Sequence, residues 1–113
     1  MQIEKIKKAD RTKNHQKLVK QCLLFLSSEG FLCWSNATGA IKTNGRFQRY
    51  GLIGSSDIIA ISPPEGTFCA IEIKTGSAVQ NKHQKAFEKA VKKVGGVYKV
   101  IRSYEELKEW VHG

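Results

Sequence analysis

The chain has 113 residues, with 19 Lys and Arg against 10 Asp and Glu and a formal net charge of +9. This length holds one domain around one core and excludes a catalytic domain joined to a separate recognition domain, while an apolar content of 41% excludes a disordered tail. A positive excess of this size points to a polyanionic partner, nucleic acid first and an anionic membrane surface second, because clustered Lys and Arg displace the counterions condensed on phosphates.

In chain order, residues 1–13 form a basic arm, expected to be flexible, and residues 14–113 a single domain. A helix is predicted from Asn14 to Glu29, with Leu18, Val19, Cys22, Phe25 and Leu26 on one apolar stripe and Gly30 as its stop. Phe31 to Ser35 reads as a short strand. Residues 36–54 are polar, Gly-rich and basic, a long loop or weak hairpin suited to binding. Two stronger strands follow, Asp57 to Ile61 and Thr67 to Lys74, separated by a Ser-Pro-Pro-Glu-Gly turn. A second helix runs from Lys82 to Val94, capped by Asn81, with His83, Ala86, Phe87, Ala90 and Val94 inward and Lys85, Lys89, Lys92 and Lys93 toward solvent. Val97 to Ile101 is a further strand, and Ser103-Tyr104-Glu105-Glu106 opens a last helix docked by Leu107, Trp110 and Val111.

The order predicts a small α/β fold with a mixed sheet flanked by helices, the last strand lying beside Thr67–Lys74 through a crossover. The run Cys22–Leu26 is too short to span a bilayer and the N-terminus carries no apolar leader, so a cytoplasmic protein without a membrane partner is expected. Cys22, Cys33 and Cys69 are odd in number and not spaced as zinc ligands, which predicts buried free thiols.

The chemistry concentrates in Ala70-Ile71-Glu72-Ile73-Lys74-Thr75-Gly76. Strand alternation puts Glu72 and Lys74 on one face, and a hairpin turning about Pro64-Glu65 brings Asp57 opposite Glu72. Two carboxylates and an ammonium gathered at the open end of a hairpin are costly unless compensated. A divalent cation supplies that compensation: Mg²⁺ takes one or two carboxylates with retained waters and brings a phosphate with it. The Ile73 carbonyl is a candidate third ligand. Lys74 then faces the nucleophilic water or the scissile phosphate, an arrangement suited to phosphodiester hydrolysis. Lys42, Arg46 and Arg49, interleaved with Phe47 and Tyr50, suit contacts to DNA, and Ser55 and Ser56 beside Asp57 are expected to add to them.

Gly54-Ser55-Ser56-Asp57, followed after a hairpin by Glu72-Ile73-Lys74, resembles the PD-(D/E)xK nuclease signature, with Ser56 where proline is frequent. The whole pattern is most similar to the VRR-NUC branch, the virus-type replication-repair nucleases; Gln84 fits the glutamine of its next helix, and Trp34–Ala40 and Arg46–Gly51 also look like it. The resemblance runs from His15 to Ile101. It implies a restriction-endonuclease-like core, use of Mg²⁺ or Mn²⁺ with no organic cofactor, catalytic roles for Asp57, Glu72, Lys74 and Gln84, and a setting in a bacterial or phage-infected cell. It further implies a homodimer acting on branched DNA, in the manner of a Holliday-junction resolvase. One departure stands out: His15 falls where the family carries a first-helix glutamate. Either the site uses fewer acidic ligands or favours Mn²⁺, with His15 as a candidate metal ligand through a water, or that carboxylate is dispensable and His15 is a core-edge histidine or a phosphate contact. Competing with the endonuclease reading are a non-catalytic nucleic-acid-binding module and a basic assembly subunit. Both account for the charge, and neither for convergent carboxylates that repel phosphate.

Overall fold

The structure, a computed structural model, describes residues 2–113, with side chains from Thr12 onward. Helix α1 spans Gln2–Ser28, so it starts well before Asn14 and takes in most of the segment expected to be an arm. Most side chains of that segment lie outside the described residues. Leu18, Cys22 and Leu26 are buried along one face of α1, with Val19, Leu23 and Phe25 packed at its margins. The helix closes as its sequence predicts: Gly30 takes φ +89°, the Gly30 N–H donates to Ser27 O and the Phe31 N–H to Leu26 O.

After α1 come β1 (Leu32–Ser35), β2 (Gly39–Thr43), β3 (Arg46–Tyr50), β4 (Ile58–Ser62), β5 (Thr67–Ile73), α2 (Lys82–Lys93), β6 (Val97–Ile101) and α3 (Tyr104–His112). Four strands make a mixed sheet in the order β1-β4-β5-β6, antiparallel except for the parallel β5–β6 pair that α2 joins. Strands β2 and β3 pair only with each other. The β4–β5 register sets Ile58 against Ile71 and Ser62 against Thr67, the register that puts Asp57 and Glu72 at the same level of the hairpin.

The sheet's two faces are covered unequally. Helices α1 and α3 close one face over Cys22, Leu26, Ile58, Ala60, Cys69, Ile71, Ile73, Ile101 and Leu107. On the other face, α2 sets Val91 and Phe87 against Ala70 and Tyr98. That face stays open over β1, β4 and the start of β5, leaving Leu32 at 65%, Trp34 at 45% and Phe68 at 40% exposure. Helix α2 itself is rotated from the predicted stripe. His83, Ala86, Ala90 and Val94 are exposed, while Gln84, Phe87, Glu88 and Val91 turn inward. The reason is the polar content of the covered surface: Gln80 donates to both Glu88 and the Tyr98 hydroxyl, and Gln84 reaches Glu72, so the inward face must carry amides and a carboxylate.

The three cysteines are free thiols, with Cys22 and Cys69 buried and Cys33 half-buried; burial pushes the Cys22 thiol up to about 11. Among the described residues no helix is long and apolar enough to cross a membrane.

Candidate active site

The candidate site lies at one end of the central sheet, where β5 runs out between α1 and α2. Glu72, the penultimate residue of β5, points to the α2 face because the residues beside it, Ile71 and Ile73, fill the α1 face. Its side chain is only 3% exposed. One carboxylate oxygen lies 3.5 Å from the Gln84 amide nitrogen, and the other, Oε2, has no hydrogen-bond partner.

Asp57 enters from the strand opposite. It stands one step beyond the Ser35–Ile58 pair, facing Asn36, whose N–H donates to the Asp57 carbonyl at 2.7 Å. Its Oδ2 accepts the Ile73 N–H at 2.8 Å, which fixes the carboxylate across the end of β5. Desolvation first, then the neighbouring Asp57 carboxylate, push the Glu72 carboxyl up to about 9, with the Lys74 ammonium opposing.

Lys74 continues the strand and is half-buried, its N–H bonded to the Ile101 carbonyl at 3.0 Å. Gln84 is fixed at both ends of its amide. Its oxygen accepts the Asn81 N–H at 2.9 Å, completing a capping box with the Asn81 side chain, and its nitrogen turns to Glu72. The cap at the start of α2 is therefore also what aims Gln84 into the site.

His15 reaches the same place from α1. Its Nε2 lies 3.1 Å from the Ile73 carbonyl oxygen and 3.4 Å from Asp57 Oδ2. The Ile73 carbonyl can only accept, so the Nε2–H tautomer of His15 donates to it in this arrangement.

Ser56 is fully buried, and its hydroxyl donates to the Ile58 carbonyl at 2.9 Å. It cannot touch DNA as the sequence suggested; its work is to hold the turn that delivers Asp57. Ser55 is half-buried and accepts from the Asn36 amide at 2.8 Å, and the same amide nitrogen donates to the Ser56 carbonyl at 2.9 Å. Asn36 was given no role from sequence, yet it clamps 55–57 through three bonds. The one sequence signal was a polar amide placed where a strand ends.

Lys42, Arg46, Arg49 and Tyr50 are all exposed on the β2–β3 ribbon. Between α1 and the connection from β1 to β2 runs a groove of about 690 Å³, lined by His15, Gln16 and Lys20 on one wall and Asn36 to Thr38 on the other, with Asp57 at its end.

Among the described residues no three His, Cys, Asp or Glu side chains gather as a closed metal cage. The donor set is of another kind: the paired Asp57 and Glu72 carboxyls, one with an unpartnered buried oxygen, and the Ile73 carbonyl. Hard oxygens in small number suit a Mg²⁺- or Mn²⁺-type cation that keeps most of its waters.

Gly54 sets the distance between the Asp57 turn and α2. It adopts φ +81°, and a Cβ there would collide with the His83 carbonyl, which lies next to Gln84. Gly54→Ala is expected to cost about 1–3 kcal/mol in urea denaturation from the left-handed backbone alone, and to displace Gln84 from Glu72.

No protein-family profile matches this sequence, and no curated protein matches it either. Among solved structures the chain is similar to one described as a "VRR_NUC domain", at a TM-score of 0.64 and 18% identity, covering 87% of this chain and 94% of that one. The fold expected from the sequence, a VRR-NUC-type α/β core, is therefore the fold observed.

Proposed function

We propose that this chain, built on the fold of a VRR_NUC domain, is a metal-dependent endonuclease that hydrolyses DNA phosphodiester bonds. The observation that carries the reading is Glu72: a carboxyl buried against a second carboxyl, with an oxygen that nothing in the protein satisfies. Such a group destabilises the fold unless it serves a ligand. A purely DNA-binding module has no use for it, since two acids side by side repel phosphate.

Asp57, Glu72 and the Ile73 carbonyl would hold Mg²⁺ or Mn²⁺, which when bound supplies a Lewis acid for the phosphate and a more acidic water. The remaining work belongs to the chain. Lys74 neutralises charge that develops on the phosphate oxygens and favours the hydroxide form of the water. Gln84 keeps Glu72 turned inward, His15 holds the Ile73 carbonyl against Asp57, and Asn36 holds the turn before Asp57. Water attacks phosphorus as the P–O bond to the leaving sugar oxygen breaks, leaving a phosphate on one product strand and a hydroxyl on the other. The groove ending at Asp57, with Lys20 on its wall, supports a path for one strand.

The finer reading is a homodimer that cuts branched DNA, four-way junctions in particular. A single small chain offers one site, and symmetric cutting of two strands requires two. The open sheet face carrying Leu32, Trp34 and Phe68 is an apolar surface available to a second copy.

The test is incubation of supercoiled plasmid, flaps and four-way junctions with Mg²⁺ or Mn²⁺, alongside light scattering. Nicking abolished by chelator is expected. A protein that cuts no DNA in either metal would overturn the nuclease reading, whereas a strict monomer cutting only flaps would remove the dimer and junction alone.

A further inference from the structure

Strands β2 and β3 form a ribbon that lies outside the central sheet, and all ten of its strand residues are exposed. A two-stranded ribbon with no buried face is held weakly by itself. This one is shaped by local devices: Asn44 at φ 54° and Gly45 at φ 76° make a tight two-residue turn, the Lys42 ammonium lies 5.8 Å from the Phe47 ring centre, and Gly39 leaves room for the Tyr50 ring. From Asn36 to Ser56 the sequence has Lys42, Arg46 and Arg49 and no acidic residue, so the ribbon complements a polyanion.

The register divides the side chains into two sets. Thr43 with Arg46 and Ile41 with Gln48 share one face, while Lys42 with Phe47 and Ala40 with Arg49 share the other. On the first face, Thr43, Asn44, Arg46 and Gln48 line a hollow of about 500 Å³. The two faces therefore differ in kind. One presents a guanidinium and a carboxamide side by side, the groups that pair with guanine and adenine edges; the other presents long cations of the kind that reach phosphates.

We propose that the β2–β3 ribbon enters the major groove of duplex DNA, with Arg46 and Gln48 reading base edges and Lys42 and Arg49 holding the flanking phosphates. A two-stranded ribbon has the width that groove admits. The inference rests on the nuclease reading for its substrate and adds sequence selectivity to it. Both feet of the ribbon belong to the active site: β2 leaves from Asn36, and β3 returns through Gly51–Gly54 to Asp57. The bases read should thus lie at a fixed offset from the bond that is cut.

The test is selection from a randomised duplex pool in the presence of chelator, where no cleavage is involved. The wild-type chain is expected to enrich a short motif. Arg46→Ala and Gln48→Ala should each reduce discrimination at one position on the order of 10-fold. Lys42→Ala and Arg49→Ala should weaken binding to all sequences alike, lower the salt slope by about one, and keep the motif. No enrichment by the wild-type chain, or equal losses across all four variants, would overturn the proposal. So would variants that abolish self-association and leave DNA selection untouched, because the ribbon would then be a protein contact. A chain that enriches a motif in chelator but cuts nothing in either metal leaves groove reading in place and removes the nuclease.

Discussion

Asp57→Asn and Glu72→Gln are each expected to lower DNA cleavage by about 10³-fold or more, while circular dichroism and thermal unfolding show an intact fold. Both changes keep side-chain volume but remove a group that can offer a charged oxygen to a cation, at Asp57 across the Ile73 N–H and at the buried Glu72 beside it. Losing charge stabilisation at a reacting phosphate costs on the order of 10²–10³-fold for a single neutral donor, and a charged ligand should cost at least as much. Lys74→Ala separates roles within the same cluster. Turnover should fall severely, yet calorimetric Mn²⁺ binding should survive, because the ammonium acts on water and phosphate and not on the cation. Wild-type cleavage in either carboxylate variant would remove the site, and collapse of Mn²⁺ affinity in Lys74→Ala would make lysine a structural support for the carboxylates.

The legible part of this fold is where burial and turn chemistry agree. Strand β5 alternates residues between two covered faces, and Pro63-Pro64-Glu65-Gly66 marks the only place the hairpin can reverse, so register and the approach of Asp57 to Glu72 follow from sequence. Helix α2 shows the limit of the same reasoning. A hydropathy stripe through His83 and Val94 assumes an apolar docking surface, whereas the surface contains Glu72 and Tyr98 and calls for Gln84 and Glu88. The Asn44-Gly45 turn was present as a hairpin signal but was muted by flanking strands with no buried face to impose alternation.

In the site, acids and lysine on one hairpin were readable because their spacing is local. The contacts of His15 with Ile73 and of Asn36 with Ser55 and Ser56 join distant segments, and nothing in the residue types announces them. Ser56 misled for a related reason. A hydroxyl beside a candidate catalytic acid suggests a substrate contact, but here burial turns it toward its own backbone.

In the presence of chelator, stability is expected to fall as pH rises from about 4.5 to about 9, and Glu72→Gln should remove most of that slope. The folded chain keeps the Glu72 proton up to about 9, while the unfolded chain releases it near 4.5. Between those values the folded state binds more protons, so raising pH favours unfolding by at most about 1.4 kcal/mol per pH unit. Full stabilisation is present below the unfolded value and is lost as pH passes through the folded one. Other shifted groups act outside this window. Glu88, whose carboxyl is lowered by hydrogen bonds from Lys92 and Gln80, contributes stability that is lost only as pH falls below about 4.5. Cys22 and Tyr98 are raised from 9.0 and 10.0, so their effects begin where that of Glu72 ends. Urea denaturation at pH 5.5, 7.0 and 8.5 should therefore show the wild-type chain weakening stepwise and Glu72→Gln staying nearly level, with the variant the more stable protein at pH 8.5. Parallel profiles would mean that Glu72 is already ionised in the folded metal-free chain.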